Sequence, residues 1–254
     1  MQINNPIPAN PKDYPRWHYK QFNELLSEQD YNSKTTEFSH IVSNGVFWQK
    51  FLNQYSVFEQ EFQLKKSGEL FTKSMVDNKI HLKSYESLIS KIYRKNVLCN
   101  KNCPQEPTER KWIKKDNIFV NIKDILRTTV VVKYIDSIDF LINKFKDICK
   151  ENNLLFEYNY ENRDEGYYAA HCYIQHQIQI SGDIVWLEVQ ITTQFQEILK
   201  NLLHKYYEQE RELEKPNSCD WKWEFGSNKF SVHYLGHTLH FLEGIITNLR
   251  QKGE

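Results

Sequence analysis

Apolar and polar residues recur with two different periods along the chain, and the two periods separate helices from strands. Apolar side chains at helical spacing predict helices over residues 46–71, with an end near Gly68, and over 84–95, 138–150, 194–214 and 234–251. Alternating or continuous apolar runs predict strands over 118–134, 154–160, 167–180 and 184–193. The sequence therefore predicts an α+β fold, with a mixed β-sheet flanked by helices.

Proline placement separates an N-terminal arm from the rest of the chain. Four of the seven prolines lie in the first fifteen residues, and none lies between 108 and 215. Proline interrupts helices and inner strands because it lacks a backbone N–H. We therefore expect residues 1–45 to form an extended or helical arm, and residues 46–254 to form the main domain with a helical C-terminal extension.

Length and composition narrow the class of protein. The chain has 254 residues, 40% of them hydrophobic, which is enough for a sizeable core. Its formal charge is zero, so nucleic-acid binding would require a local basic patch. No run approaches eighteen apolar residues, and no hydrophobic signal segment begins the chain. We expect a soluble, cytoplasmic protein without a membrane partner, whose five cysteines are reduced.

Candidate chemistry is concentrated on two neighbouring predicted strands. Because alternate strand residues share a face, Tyr167 and His171 lie on one side of the first strand, and Glu188 and Gln190 on one side of the next. A hard oxygen ligand, a ring that stacks on a base and donors for phosphate oxygens are what a metal–nucleotide site needs. These strands are therefore the first candidate for a substrate site.

A helix with cations on one face is the second candidate. Lys83, Ser87 and Lys91 are spaced so that they lie within about 80° of one another on a helix. Two ammonium groups and a hydroxyl can bind a triphosphate, although a solvated charged face has the same pattern. Asp124, at the start of the next predicted strand, could hold magnesium together with Glu188. The alternative for a lone aspartate is a turn or a helix cap.

Taken together and in their order along the chain, these candidate motifs resemble the synthetase domain of the RelA/SpoT family. Members of that family move the β,γ-pyrophosphate of ATP onto a ribose 3′-hydroxyl. The matching motifs span residues 79–207: Lys-Ser-x-x-Ser-x-x-x-Lys from Lys83, the strand that Asp124 leads, Gly-Tyr-x-x-x-His from Gly166, and Glu-x-Gln-Ile-x-Thr from Glu188. The resemblance implies a nucleotidyltransferase-like mixed sheet and an ATP-dependent pyrophosphotransferase that uses Mg²⁺.

The resemblance also implies roles on the donor side of the reaction. Lys83, Ser87 and Lys91 match contacts to the ATP phosphates. Asp124 and Glu188 match the magnesium carboxylates, and Glu188 also stands where the family places its candidate base for the 3′-hydroxyl.

Further matches concern the acceptor and the edges of the site. Tyr167 matches the ring that stacks on the acceptor base, and His171 and Gln190 match residues that line the site. Arg163 stands where the family has a lysine, and it is a candidate for a phosphate contact. His81 stands where the family has an arginine that packs against adenine.

Departures from the family motifs favour one branch of the family. Thr129 and Thr192 replace arginines, and Glu165 replaces an asparagine. Segments 167–171, 190–194 and 234–240 look like the toxic small alarmone synthetases of toxin–antitoxin systems. That likeness implies transfer to the 3′ CCA end of tRNA, which would block aminoacylation and translation. The alternatives are synthesis of (p)ppGpp or ppApp, and a non-catalytic relative that only binds a partner.

A basic segment is the independent reason to consider tRNA. Residues 91–115 carry eight basic side chains against two acidic ones, a net charge of +6 on a neutral protein. Such side chains replace counterions on a phosphate backbone. The alternatives are a solvated loop and a docking surface for an acidic antitoxin. The candidates for contacts to nucleic acid are Lys95, Arg110, Lys111, Lys114 and Lys115, with Trp112 among them.

Overall fold

The computed structural model describes residues 6–66, 68–76, 79–179, 181–202 and 222–252. Its helices are α1 (Tyr14–Phe22), α2 (Glu28–Ser43), α3 (Val46–Lys66), α4 (Tyr85–Tyr93), α5 (Ile118–Asn121), α6 (Asp136–Glu151), α7 (194–202) and α8 (Asn228–Lys252). Its strands are β1 (Phe71–Val76), β2 (His81–Leu82), β3 (Leu126–Val132), β4 (Phe156–Asn162), β5 (Tyr168–Gln177) and β6 (Ile184–Thr193). No helix in these described ranges is long and apolar enough to cross a membrane.

The strands form one mixed sheet in the order β1-β3-β6-β5-β4, with β2 paired to the start of β3. The pairs β1–β3, β2–β3 and β4–β5 are antiparallel. In the last pair, Asn159 lies opposite His171. The predicted α+β fold with a mixed sheet flanked by helices is therefore confirmed.

Clustering of contacts divides the chain into two compact units, each with an aromatic core. Unit 1 comprises Met1–Gly45, Lys79–Arg127 and Gln175–Glu188, and unit 2 comprises Val46–Asn78, Thr128–Ile174 and Val189–Glu254. In unit 1, the Trp112 ring centroid lies 5.9 Å from that of Trp17. In unit 2, Phe145 packs between Phe47 and Phe51, at 5.2 and 5.1 Å. The predicted arm, residues 1–45, falls in unit 1.

Residues 118–125 differ from the predicted strand. They form the short helix α5 and a turn, and β3 begins only at Leu126. The apolar residues here are buried at Ile118, Ile122 and Ile125, a spacing of four and three that is helical, since a step of three would put two residues on opposite faces of a strand. The Ile122 amide donates to the Ile118 carbonyl oxygen at 2.8 Å, which closes that turn.

The N-terminal region is more helical than its prolines suggest. Pro11 and Pro15 lie in the first turns of helical segments, where proline's missing N–H costs nothing. Helix α2 was not predicted, although its start carries a capping signal: Ser27 Oγ accepts a hydrogen bond from the Asp30 amide at 3.2 Å. Its buried residues recur at spacings of four, three and four: Tyr31, Thr35, Phe38 and Val42.

The apolar spacing of α3 continues to residue 71, although the helix was predicted to end near Gly68. The helix ends at Lys66, and Phe71 begins β1. The Glu59 carboxylate accepts hydrogen bonds from the backbone amides of Leu70 and Phe71, both at 3.1 Å. This side chain fixes the turn from helix to strand.

Candidate functional site

The candidate residues form two sets, one in each unit. In unit 1, Asp124 lies in the turn before β3 and binds two of the predicted lysines. Its Oδ2 accepts from Lys83 Nζ at 3.0 Å and from Lys91 Nζ at 2.8 Å. The three side chains are only 11–23% exposed, so water screens these ion pairs weakly. The structure therefore brings together Lys83, Lys91 and Asp124.

Backbone pairing and a helix cap place the two lysines. The Lys83 amide donates to the Ile125 carbonyl oxygen at 2.9 Å, and the Lys83 carbonyl oxygen accepts from Tyr31 Oη at 2.7 Å. Ser84 caps α4, because its hydroxyl oxygen accepts from the Ser87 amide at 3.2 Å. Lys91 follows about two helical turns later. The Lys83–Lys91 motif therefore follows the end of β2, and it contains the N-cap Ser84 and most of α4.

The Asp124 carboxylate is an ionised group with one oxygen still available. Burial raises its pKa, but hydrogen bonds and charges from Lys91 and Lys83 outweigh burial and hold the pKa below its ordinary value. Its Oδ1 is buried and has no hydrogen-bond partner among the described residues. A buried anionic oxygen without a donor suits a hard cation such as Mg²⁺.

Glu188 lies in the middle of β6, the strand next to β3 in the sheet. Its neighbours Leu187 and Val189 are fully buried, as the strand pattern predicts. Glu188 itself is only 4% exposed, whereas Gln190 is half-buried. Within the described ranges, no three His, Cys, Asp or Glu side chains converge to hold a metal ion. Any Mg²⁺ here would therefore take one or two carboxylates and complete its shell with substrate oxygens and water, which is its common binding mode.

Two exposed side chains, His81 and Arg127, belong to the strands next to Lys83 and Asp124 in the sequence. His81 of β2 is exposed and lies opposite Arg127 of β3 in the antiparallel register, so the two side chains share a face. Arg127 was not among the predicted site residues. It lies two positions before Thr129 on the same outward face of β3, so it presents a cation on that face.

In unit 2, Tyr167 lies just before β5 and contacts two other predicted residues. The Arg163 guanidinium carbon lies 5.3 Å from the Tyr167 ring centroid, a cation–π distance. Tyr167 Oη lies 3.4 Å from His171 Nε2. Arg163 also binds the Glu161 carboxylate, with Nε and Oε2 3.2 Å apart. The structure therefore groups Arg163, Tyr167 and His171.

The loop that presents Tyr167 is held by α8, through contacts the sequence assignment did not include. Gly166 has a φ of +80°, and a Cβ there would lie 2.9 Å from Gly236 Cα. His237 Nε2 donates to the Asp164 carbonyl oxygen at 2.9 Å, and its Nδ1 lies 2.7 Å from Tyr168 Oη. His240 stacks on the Tyr168 ring at 3.7 Å between centroids. The glycine at 236 was the available signal, because a close backbone approach requires one.

This contact gives a stability prediction. We expect Gly236→Ala to lower the free energy of unfolding by about 1–3 kcal/mol, because the new methyl would lie 2.5 Å from the Gly166 carbonyl oxygen. Gly244→Ala is the matched control on the same helix, since among the described residues no atom outside the nearby helix backbone lies within 4 Å of its added Cβ. That change should stabilise by roughly 0.5–1 kcal/mol. Denaturant unfolding measures both, and equal effects would contradict the packing assignment.

The predicted nucleic-acid residues differ in how they are held. Arg110 donates to the Lys95 carbonyl oxygen, and Lys114 Nζ lies 5.0 Å from the Phe22 ring centroid. Burial, then the charges of Lys91 and Arg110, lower the pKa of Lys95. Lys111 and Lys115 are exposed, and Lys115 pairs with Asp30 at 3.1 Å.

Trp112 is a correction to the predicted surface. It is only 6% exposed, because its ring packs against Trp17 and Phe22, at 5.9 and 5.4 Å between centroids. Its amide donates to the Glu106 carboxylate at 3.1 Å. Trp112 therefore belongs to the core of unit 1 and anchors the basic segment from inside.

Comparisons with known proteins address the fold. No protein-family model matches the chain, and no curated protein matches its sequence. Among solved structures, small alarmone synthetase 2 from Bacillus subtilis matches with a TM-score of 0.55 and 16% identity, over 88% of this chain and 99% of that one. A GTP pyrophosphokinase family protein from Streptococcus pneumoniae matches with a TM-score of 0.54 and 13% identity, over 88% and 92%.

A third match is small alarmone synthetase 1 from Bacillus subtilis bound to its product pppGpp, with a TM-score of 0.51 and 13% identity, over 87% of this chain and 93% of that one. The chain has the nucleotidyltransferase-like fold of the small alarmone synthetases. At these identities the likeness concerns the fold, so the activity must be argued from the residues.

Proposed function

We propose that the protein is an ATP-dependent pyrophosphotransferase that moves the β,γ-pyrophosphate of ATP to a 3′-hydroxyl. The observation that carries this proposal is the Asp124 carboxylate, ionised and bound by Lys83 and Lys91, in a chain with the small alarmone synthetase fold. Among the structures of that fold, small alarmone synthetase 1 was solved with AMPCPP and with pppGpp.

On the donor side, Lys83 and Lys91 bind the ATP phosphates, with Ser87, His81 and Arg127 nearby on unit 1. Asp124, through Oδ1, and Glu188 would hold Mg²⁺, which neutralises charge on the triphosphate when bound. Each lysine now pairs with Asp124 Oδ2, so ATP binding exchanges that oxygen for phosphate oxygens. The side chains are thus held in place before the substrate arrives, which reduces the entropy cost of binding.

On the acceptor side, the Tyr167 ring stacks on the acceptor base, and Arg163, His171 and Gln190 line its surroundings. Arg163 keeps the ring oriented through the cation–π contact. The incoming hydroxyl must lose a proton, and Glu188 is the candidate base. Most of the rate enhancement would come from positioning and from charge neutralisation.

We propose tRNA as the acceptor, with translation inhibition as the consequence and an antitoxin as the partner that restrains it. The support is the net charge of +6 over residues 91–115. The buried Trp112 side chain anchors this segment to the core of unit 1. The second candidate is synthesis of alarmones from mononucleotides, and the pppGpp product of small alarmone synthetase 1 favours it.

The experiment that distinguishes tRNA from mononucleotide acceptors measures the transfer of label from γ-labelled ATP to each acceptor. The protein is incubated with total tRNA, or with GDP, GTP or AMP. We expect label on tRNA, and none on tRNA whose terminal ribose has been oxidised with periodate. Labelled GDP, GTP or AMP with unlabelled tRNA would replace the first candidate by the second. If no acceptor is labelled, the proposed pyrophosphate transfer is wrong.

A charge variant tests the basic segment. Lys111→Ala with Lys115→Ala should weaken tRNA binding about 10-fold near 0.15 M salt and flatten the log–log salt slope by roughly 1 to 2, because each lost phosphate contact contributes about 0.9 on duplex nucleic acid. Arg110 and Lys114 are left intact because both pack within unit 1. The matched control removes two exposed lysines of α6, Lys146 and Lys150. Equal loss in both variants would remove the basic segment from the proposal.

A further inference from the structure

Strand β4 is an exposed edge of the sheet. It is the last strand in the order β1-β3-β6-β5-β4, and among the described strands it pairs only with β5. Alternate residues of an edge strand direct their backbone N–H and C=O groups away from the sheet. Residues 157–160 are all exposed. The outward backbone groups of β4 can therefore accept a further strand.

The edge lacks the usual obstacles to strand addition. The seven residues of β4, Phe156–Asn162, pair with residues 168–174 of β5 in one unbroken register, so no bulge turns the edge away. They include no proline and no lysine, which are the residues that commonly protect such an edge. A long and regular edge is what recognition by β-strand addition requires, because backbone hydrogen bonds then bind an extended segment.

One face of β4 is acidic. Glu157 and Glu161 lie on the same face, four residues apart, with Asn159 between them. Because Asn159 lies opposite His171 in the register, His171 shares this face. Burial raises the pKa of Glu161, but hydrogen bonds from Arg163 and Asn159 outweigh burial and hold that pKa below its ordinary value. A strand added to β4 would therefore meet acidic side chains on one of its sides.

This acidic face narrows the kind of partner. A second copy that added its own β4 antiparallel, centred on Asn159, would place each Glu157 opposite a Glu161, and like charges directly opposite are destabilising. A nucleic acid would be repelled by the same charges. A protein segment with two cations four residues apart would instead place one cation opposite each glutamate. Apolar residues between those cations would face the other side of β4, where the Tyr160 ring is 56% exposed.

We propose that β4 binds an extended segment of a different protein, which adds a strand to the sheet and carries Lys or Arg at two positions four residues apart. Backbone hydrogen bonds would supply the binding, and the pairing of the cations with Glu157 and Glu161 would select the segment. The bound segment would lie beside Arg163, whose Nε is 3.2 Å from Glu161 Oε2. The proposal rests on the edge and its charges, and not on the proposed pyrophosphate transfer.

The test uses the full chain and a blocked peptide, Thr-Lys-Val-Thr-Val-Lys-Thr, at up to about 2 mM because short extended segments bind weakly. Hydrogen exchange, followed by NMR, reports on each backbone amide of β4. We expect alternate amides of β4 to exchange at least about 10-fold more slowly with the peptide bound, because they would donate to the added strand. A peptide with glutamate in place of both lysines should bind at least about 10-fold more weakly at low salt.

Charge reversal supplies the matched variant. Glu157→Lys combined with Glu161→Lys should reverse the preference, so that the glutamate peptide binds about 10-fold more tightly than the lysine peptide. Asp147→Lys is the control, because Asp147 is an exposed acidic residue of α6 in the same unit and should keep the wild-type preference. If the double variant does not fold, Glu157→Lys alone changes only an exposed side chain and should still weaken binding of the lysine peptide.

Several outcomes would overturn the proposal. The lysine peptide could fail to bind, could bind without slowing exchange in β4, or could bind no more tightly than the glutamate peptide. Slow exchange of the outward amides in the wild type alone would also contradict it: protection that grows with protein concentration would assign the edge to a second copy, and constant protection would show that the chain covers its own edge. No measurement involves ATP or an acceptor, so failure of docking and failure of the transfer reaction are distinguishable.

Discussion

Asp124→Asn is expected to reduce pyrophosphate transfer at least about 100-fold at saturating ATP and Mg²⁺, the size of effect seen when one electrostatic contact to a transition state is lost. The amide keeps the shape of the side chain but removes the charge that orders Lys83 and Lys91 and the anionic Oδ1. Glu188→Gln should have a comparable effect if Glu188 shares the metal or serves as the base. Initial rates of label transfer from γ-labelled ATP measure both.

Folding must be checked in the same experiment, because the variant leaves two ammonium groups close together. Loss of one partner of a fully buried ion pair costs about 3–5 kcal/mol, and these side chains keep some exposure, so about 1–3 kcal/mol is expected. Asp183→Asn is the matched control: Asp183 belongs to the same unit and pairs with Lys34 at 3.6 Å, but both side chains are about a third or more exposed. A folded Asp124→Asn variant with near-normal turnover would show that Asp124 does not serve the reaction.

The elements that the sequence predicted well are those whose pattern is local. Strand β6 runs from Ile184 to Thr193 as predicted, because a continuous apolar run over 184–187 is followed by apolar residues at the alternate positions Val189 and Ile191. Helix α4 begins directly after Ser84, a capping residue with a clear preference for that position. Residues 118–125 were assigned to the strand because they adjoin the continuous apolar run of β3, although their own apolar spacing of four and three is helical.

The arrangement of the candidate site depended on contacts between distant segments, which a single sequence does not contain. Lys83 and Asp124 are 41 positions apart, and only the pairing of residues 81–83 with the start of β3 brings them together. Trp112 was assigned to the surface because its sequence neighbours are charged, although Trp17 and Phe22 bury it. The function of α8 in holding the Tyr167 loop likewise rests on a contact between two glycines 70 positions apart, Gly166 and Gly236.

Tyr167→Ala is expected to impair the reaction through the acceptor. Stacking of a base on an aromatic ring contributes roughly 1–3 kcal/mol, so kcat/KM for the acceptor should fall about 10- to 100-fold. The KM for ATP should stay unchanged, because the proposed phosphate contacts are Lys83 and Lys91 and the ring is proposed to bind only the acceptor. Tyr158→Ala is a suitable control, since Tyr158 of β4 is a partly exposed tyrosine of the same unit with no predicted role.

Two further substitutions distinguish the contribution of the Tyr167 ring from those of its hydroxyl and of Arg163. Tyr167→Phe keeps the ring and removes the hydroxyl that lies 3.4 Å from His171 Nε2, so it should retain most of the activity if stacking is what matters. Arg163→Ala removes the guanidinium over the ring and should give an intermediate loss, because the ring stays but is held less firmly. If Tyr167→Phe were as impaired as Tyr167→Ala, the hydroxyl would be the functional group. If the KM for ATP rose while that for the acceptor stayed constant, the ring would serve the donor, and the acceptor base would have to bind elsewhere.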